Sequence, residues 1–424
     1  RETDIIKTKI CIYEQLINWV LERHIDSDIS IGKENLRHFL TETALCVVQS
    51  GNESANIPML EERLANNNII AESFLQARSK YSDQTLNHAL TTFYFHQNTI
   101  EFTHRSFSEF LFADLLNKNL EHWSKEAADL GQWEVPNNKL YKQIYELLGY
   151  GVLRQEIVEY LIALLTQNNN FDANILFKRL EKFYFLWCNG EFINKPPEEN
   201  LVQKKMLQFQ RHKIILGLQQ VDLYAGLNVL ILLFELDKYA QRFNASDAIS
   251  FYACGKPYTD KFEAYRLRRI ISYCQFIRVR PFSGTMSSFL CRVKLIGGNL
   301  SSLDLYQANL CNANLSEAKL ISTDLIYANL SQANLTSADL NRADLIGADL
   351  CCADLSNANL RRADLSNANL SNANLSNANF YRANLSDTNL NNITWNEYTN
   401  WENVRGLETA ENVPEALKKQ LGIN

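Results

Sequence analysis

Proline and glycine are scarce, with 7 and 15 residues among 424. The first 290 residues accordingly hold no long flexible linker. No apolar run approaches the roughly 20 residues that span a bilayer. The longest, Leu227 to Leu236, lies between Asp222 and Asp237 and fits a buried helix. No secretory signal is present, and the sequence opens at Arg1 without methionine, so a longer parent protein is expected. The nine cysteines include no C-x-x-C pair and no histidine at zinc-type spacing, and several lie on apolar patterns. They are expected to be reduced, buried thiols in a cytoplasmic protein. The seven histidines include no pair four residues apart. There is no broad basic field either: the net charge is −6, with 32 basic and 34 acidic residues up to residue 290 and 10 and 14 beyond. That balance argues against nucleic acid. Finally, no phosphate-cradling G-x-x-x-x-G-K-S/T occurs; Ile31-Gly32-Lys33-Glu34 lacks the first glycine and the hydroxyl. No Ser/His/Asp set, Cys/His pair or carboxylate dyad stands at catalytic spacing.

What the sequence does have is a period of five. Every fifth residue from Leu295 to Leu390 is leucine, except Phe380. Alanine usually stands two before it, with Asn or Asp between, as in Ala308-Asn309-Leu310 and Ala338-Asp339-Leu340. Five matches neither a helix nor a strand, and sustained periodicity of this kind marks a solenoid. Val293 to Trp395, 21 units, resembles the pentapeptide-repeat proteins. The resemblance implies a right-handed quadrilateral β-helix with four units per coil, about five coils stacked at about 4.8 Å. Leucine and alanine would fill the column, while the intervening Asn or Asp and the two following residues face out.

With units twenty residues apart stacked, Asp304, Asp324, Asp344 and Asp364 make a carboxylate ladder, with Asp387 at its foot and no Lys or Arg on that side. The neighbouring side carries Lys319, Arg342, Arg361, Arg362 and Arg382, with Tyr381 among them and Asp339 as its one acid. These are the candidate recognition residues; the alternative is that outward positions accept any soluble residue. Residues 396–424 are expected to form a lid ending in a helix from near Pro414, with Asn412 as its cap and Glu415 in the first turn.

Before residue 290 the pattern is helical, with apolar spacing at 10–20, 35–48, 139–149, 155–166, 174–187, 202–218, 223–242 and 261–277. The exception is a β-hairpin, Phe93 to His96 and Ile100 to Thr103 around Gln97-Asn98, followed by a helix from His104. Ile100 to Ala113 resembles the F-x-H-x-S-F-x-E-F/Y-x-x-A winged-helix signature of NACHT-type NTPases, the STAND class. Ile12-Tyr13-Glu14 to Arg23 and Leu147-Leu148-Gly149-Tyr150-Gly151 add to a likeness with cyanobacterial NACHT proteins that end in pentapeptide repeats. In that family the signature histidine, here His104, reaches the nucleotide phosphate and holds the resting state closed; the alternative is a local helix cap. Phe102, Phe107 and Phe110 are expected in the core, and Glu109 as a structural hydrogen-bond partner. Arg105 is either a second anion contact or a surface residue. Arg266, Arg268, Arg269, Arg278 and Arg280, interleaved with Tyr265, Tyr273 and Phe276, fit a solvated helix face or a phosphate site.

The expected fold is therefore multidomain: a mainly α N-terminal part (winged-helix region 1–122, helical domain 123–290), then the β-helix 291–395 and a cap 396–424. The resemblance implies a non-catalytic regulatory and sensor portion of a NACHT signalling NTPase involved in signal transduction and defence. Its partners would be the parent's upstream NTPase domain and an unidentified protein or ligand on the solenoid, with neither nucleic acid nor membrane. ATP or ADP with Mg²⁺ is expected only in the full-length parent. A competing account gives recognition to the helices 137–290 and makes the solenoid a spacer. The alternative from another class is a DNA-mimic inhibitor of a topoisomerase, an activity some pentapeptide proteins have; the basic side and the short rod count against it.

Overall fold

The computed structural model describes residues 2–25, 33–51, 54–65, 93–96, 99–127, 132–168, 170–243, 249–276 and 286–422. The chain divides into two compact units, 1–229 and 230–424, a division that falls inside a helix and not near residue 290. The first unit contains α1 (Glu2–Ile25), α2 (Lys33–Gln49), β1 (Ser54–Asn56), α3 (Ile57–Leu64), β2 (Phe93–His96), β3 (Thr99–Phe102), α4 (Arg105–Trp123), α5 (Asn137–Leu148), α6 (Gln155–Gln167), α7 (Ala173–Cys188) and α8 (Leu201–Arg211). Helix α9 (Leu218–Phe243) crosses the division, and the second unit adds α10 (Arg266–Phe276) and α11 (Glu415–Leu421).

The expected helices are present with two clear differences, the run at 261–277 being helical only from Arg266 to Phe276. The run at 202–218 stops at Arg211, where His212 caps the helix and Lys213 turns to φ 61°. The three strands form an antiparallel sheet in the order β1-β3-β2, with Ala55 and Phe95 both opposite Ile100. Ser-Ala-Asn is too short and too polar to show alternation, so β1 and α3 have no sequence signal. The hairpin turn Gln97-Asn98 lies outside the described residues, as do Ile31 and Gly32.

Helix α4 is buried on nearly every side, Ser108, Glu109 and Asp114 included. It packs against α2 and α6. Tyr13 of α1 reaches Phe107 and Phe110 at 5.8 and 5.3 Å, and Tyr160 of α6 meets Phe110 edge-on at 5.9 Å. Burying Asp114 is tolerable because Arg37 Nε donates to it at 3.0 Å while Arg37 Nη2 holds Glu14 at 2.9 Å. A second buried carboxylate, Asp222, accepts from the Tyr145 hydroxyl at 2.7 Å and the Trp187 indole N–H at 3.1 Å. Burial pushes its carboxyl up to about 6 against the pull of those two donors. Gly226 makes room for the same indole, since a Cβ there would lie 1.9 Å from it.

In the second unit the coils from Lys294 to Thr394 take twenty residues each. Parallel bridges run Asn299–Lys319–Asp339–Asn359–Asn379 on one side and Asp304–Asp324–Asp344–Asp364–Asn384 on the next. Four such columns close each coil, and the central leucines and their alanines are fully buried from Ala308 to Leu390. Where threonine replaces alanine, its hydroxyl is satisfied on a backbone carbonyl: Thr323 donates to Leu300 at 3.0 Å and Thr388 to Leu365 at 2.7 Å. The coils extend beyond Trp395. Asn379 bridges Asn400, Asn384 bridges Arg405 and Asn389 bridges Glu411, so much of the expected lid is further coil. Asn412 does not cap the last helix: Pro414 holds that position and the Asn412 amide donates to Asn389 at 3.0 Å.

Candidate functional site

The outward geometry of the solenoid follows from its corners. The second residue after each central leucine holds φ between 53° and 63° all the way from Arg292 to Asn392. Glycine and asparagine suit that left-handed backbone best, and other residues adopt it at a cost. The cost is offset because the corner N–H groups up to Asp387 donate to the next coil, as Arg342 does to the Arg361 carbonyl and Arg362 to that of Tyr381, both at 2.9 Å. A side chain at a corner points away from the column.

Arg342, Arg362 and Arg382 stand at the same corner on three successive coils, all exposed. Arg361 and Tyr381 sit one residue before that corner, and Lys319 is exposed on the same side two coils above Asn359. The Tyr381 ring lies 4.7 Å from the Arg361 guanidinium carbon and 5.1 Å from that of Arg382. Asp339, the one acid there, is engaged by the Asn359 amide at 2.8 Å. Among the described residues no carboxylate forms an ion pair with these five cations. The structure thus gathers the six basic-side candidates on one side.

The four aspartates are gathered on the neighbouring side, but they face out less freely than the repeat pattern suggests. Each is half-buried, and its Oδ1 accepts the backbone N–H two residues on: Tyr306 for Asp304 (3.1 Å), Ile326 for Asp324 (3.0 Å), Ile346 for Asp344 (3.4 Å), Ser366 for Asp364 (3.0 Å). Burial and then its neighbours Asp364 and Asp324 raise the Asp344 carboxyl above its ordinary value. The column continues into Asn384 and Arg405; Asp387 lies at a corner, and Arg405 puts a cation on a side expected to have none. A third feature escaped the reading of charge alone. Tyr306, Ile326 and Ile346 repeat at twenty residues beside the aspartates, a register that was legible for apolar side chains too.

In the first unit His104 is the N-cap of α4, its Nδ1 accepting from Ser106 N–H at 3.2 Å. In the neutral ring that bond places the proton on Nε2. Glu109, 4 % exposed, accepts from Arg105 Nε at 3.0 Å and Arg154 Nη1 at 2.8 Å, so Arg105 is held by a carboxylate. Phe102, Phe107 and Phe110 are buried. In the second unit Arg266 is buried and Arg269 pairs with Glu263 at 2.8 Å; Arg278 and Arg280 lie outside the described residues. All nine cysteines are free thiols, but only Cys46, Cys254 and Cys274 are buried, whereas Cys11 and Cys352 are exposed. Among the described residues no helix is long and apolar enough to cross a membrane.

Residues 313–351 and 353–392 match the family model for pentapeptide repeats, in eight copies. No curated protein matches the chain. Among solved structures it is similar to Rfr23, a pentapeptide repeat protein of the cyanobacterium Cyanothece 51142, at 32% identity over 26% of this chain and 91% of that one (TM-score 0.23). It is also similar to alr5209, a pentapeptide repeat protein from Nostoc Pcc 7120, at 36% identity over 23% of this chain and 75% of that one (TM-score 0.19). QnrB1, a plasmid-mediated fluoroquinolone resistance protein, aligns at 18% identity over 31% of this chain and 73% of that one (TM-score 0.14). The chain is a pentapeptide-repeat protein, and its repeats build the right-handed β-helix at its C-terminal end.

Proposed function

We propose that this chain is the non-catalytic regulatory and sensor portion of a NACHT-type signalling NTPase, with the solenoid as its recognition surface. One observation carries the reading. Four arginines and a lysine share one side of the coils with no paired acid among the described residues, three of them at corners where asparagine or glycine is less strained. Stacked like charges and left-handed arginines both cost stability, and an acidic partner offsets the first. The carboxylates of the next side give the surface two signs, which favours a protein partner over nucleic acid or the all-acidic surface of a DNA mimic.

The first unit supports the switch half. Among the described residues a helix, a short strand, a second helix and a later hairpin whose last strand pairs with the first support the winged-helix reading. His104 caps the following helix through Nδ1 and leaves Nε2–H for a nucleotide phosphate of the parent. The chain itself has no phosphate-cradling loop, so titration calorimetry with ATP or ADP plus Mg²⁺ is expected to give no saturable heat. Saturable micromolar binding contradicts that. For the solenoid the test is kinetic: the partner's association rate should fall steeply as salt rises from low to physiological, since steering by exposed charge is screened beyond about 8–10 Å. A rate independent of salt contradicts docking on the charged sides.

A further inference from the structure

The acidic side carries an apolar column beside its carboxylates. Tyr306, Ile326 and Ile346 each follow a central leucine on three successive coils, the tyrosine exposed and the isoleucines half-buried. Tyr327, at the corner of the middle coil, is 57 % exposed and meets the Tyr306 ring edge-on at 6.2 Å. A Cβ at Gly347 would lie 2.5 Å from the Tyr327 ring. Backbone conformation does not explain that glycine, because Gln307, Cys352 and Arg342 hold the same corner geometry. What it supplies is room for the tyrosine to lie across onto the next coil. The outcome is a contiguous strip of four apolar side chains, bordered by four aspartates that have no ion pair among the described residues.

We propose that this strip docks a basic amphipathic α-helix of a partner protein, lying along the coil stack. The chemistry is selected twice over: apolar side chains for the column, Lys or Arg for the carboxylates. The spacing selects a helix. Helical turns recur every 5.4 Å or so, near the coil spacing of about 4.8 Å, whereas alternate residues of a strand are roughly 6.6 Å apart. One apolar residue per turn meets Tyr306, Ile326 and Ile346 in succession, and cations one step round the helix meet Asp304, Asp324, Asp344 and Asp364. Four carboxylates span three coil spacings, about 14 Å, or about ten helical residues. Long basic side chains absorb the small mismatch. Each carboxylate has Oδ1 engaged in its own turn, which leaves Oδ2 for the incoming cation. Like-charge crowding at Asp344 is relieved by such a cation. Tyr306 and Tyr327 supply the large, rigid aromatic area that interface centres favour.

The inference rests on the solenoid being a recognition surface but uses a different side from the arginines, so the two can fail separately. The test is fluorescence anisotropy of the full chain with a stapled, labelled helix of about 14 residues carrying leucine once per turn with flanking lysines, and with the same helix carrying glutamates. The lysine helix is expected to bind saturably, about tenfold more weakly to Asp324→Lys/Asp344→Lys and to Ile326→Asp, and unchanged to Arg342→Glu/Arg361→Glu/Arg382→Glu. Tyr327→Ala, which leaves every aspartate turn intact, is expected to weaken binding without moving the thermal melt. No saturable binding, equal binding of the glutamate helix, or lysine-helix binding indifferent to both the aspartate pair and Tyr327→Ala overturns the proposal.

Discussion

Leu340→Asp or Leu360→Asp is expected to abolish the cooperative thermal transition of the β-helix, or lower its midpoint by tens of degrees. Both leucines are fully buried, each between the leucines of the coils on either side. The substitution forfeits about 2–3 kcal/mol of apolar burial and places a carboxylate where nothing can pair it, which costs several kcal/mol more. That sum rivals the whole stability of a typical domain, about 5–15 kcal/mol. The damage spreads because Leu340 N–H donates to Asn359 in the next coil at 2.9 Å, so opening one coil strips its neighbour. Arg342→Ala, two residues away on the outside, is the control and should move the melt little. Truncation after Trp395 should also lower the midpoint. It removes Trp401, stacked on Phe380 at 4.8 Å and 4°, together with the bridges to Asn400, Arg405 and Glu411. Circular-dichroism melts that coincide with the wild type would show that the column or its terminus is misassigned.

In the NACHT-type parent proposed above, His104→Ala is expected to signal without its trigger. If Nε2 donates to the nucleotide phosphate only in the closed state, removing a charge-assisted contact of about 1.5–3 kcal/mol shifts the closed–open equilibrium roughly 10- to 150-fold. In the chain described here the same change removes only the Nδ1 cap on Ser106, a loss of about 1 kcal/mol. The two effects separate the roles: constitutive signalling with lost ADP in the proposed parent, against a small shift of the melt in this chain. A parent variant that stays silent and keeps its ADP leaves His104 a helix cap.

The β-helix was legible because one rule repeats. A five-residue period with leucine at its centre fixes which side chains are inside, and the twenty-residue coil then fixes which outward residues stack. Arg342, Arg362 and Arg382 and the four aspartates could be placed on their sides from arithmetic alone. What the arithmetic missed is local geometry. Nothing in the pattern says that Asp304 or Asp364 turns an oxygen back onto its own backbone, because that depends on the corner two residues later. The extra coil beyond Trp395 was hidden because its units are 21 or 22 residues from those they bridge, and Trp401, Gly406 and Asn412 stand where the central leucines would be. In the first unit helical spacing found the long helices but not β1, whose three residues pair only through β3, far along the chain. The partners of Glu109 and Asp222 were likewise invisible: Arg154 and Tyr145 come from 45 and 77 residues away.

The central claim is that the solenoid recognises and does not merely space. The most direct measurement is the trigger response of the proposed NACHT-type parent carrying Arg342→Glu, Arg361→Glu and Arg382→Glu together. These side chains are exposed, so the melt should be unchanged while the response falls at least about tenfold and the partner's association rate no longer falls with added salt. A response that survives the triple reversal, with the salt dependence intact, assigns recognition to another part of the chain and leaves the solenoid a spacer.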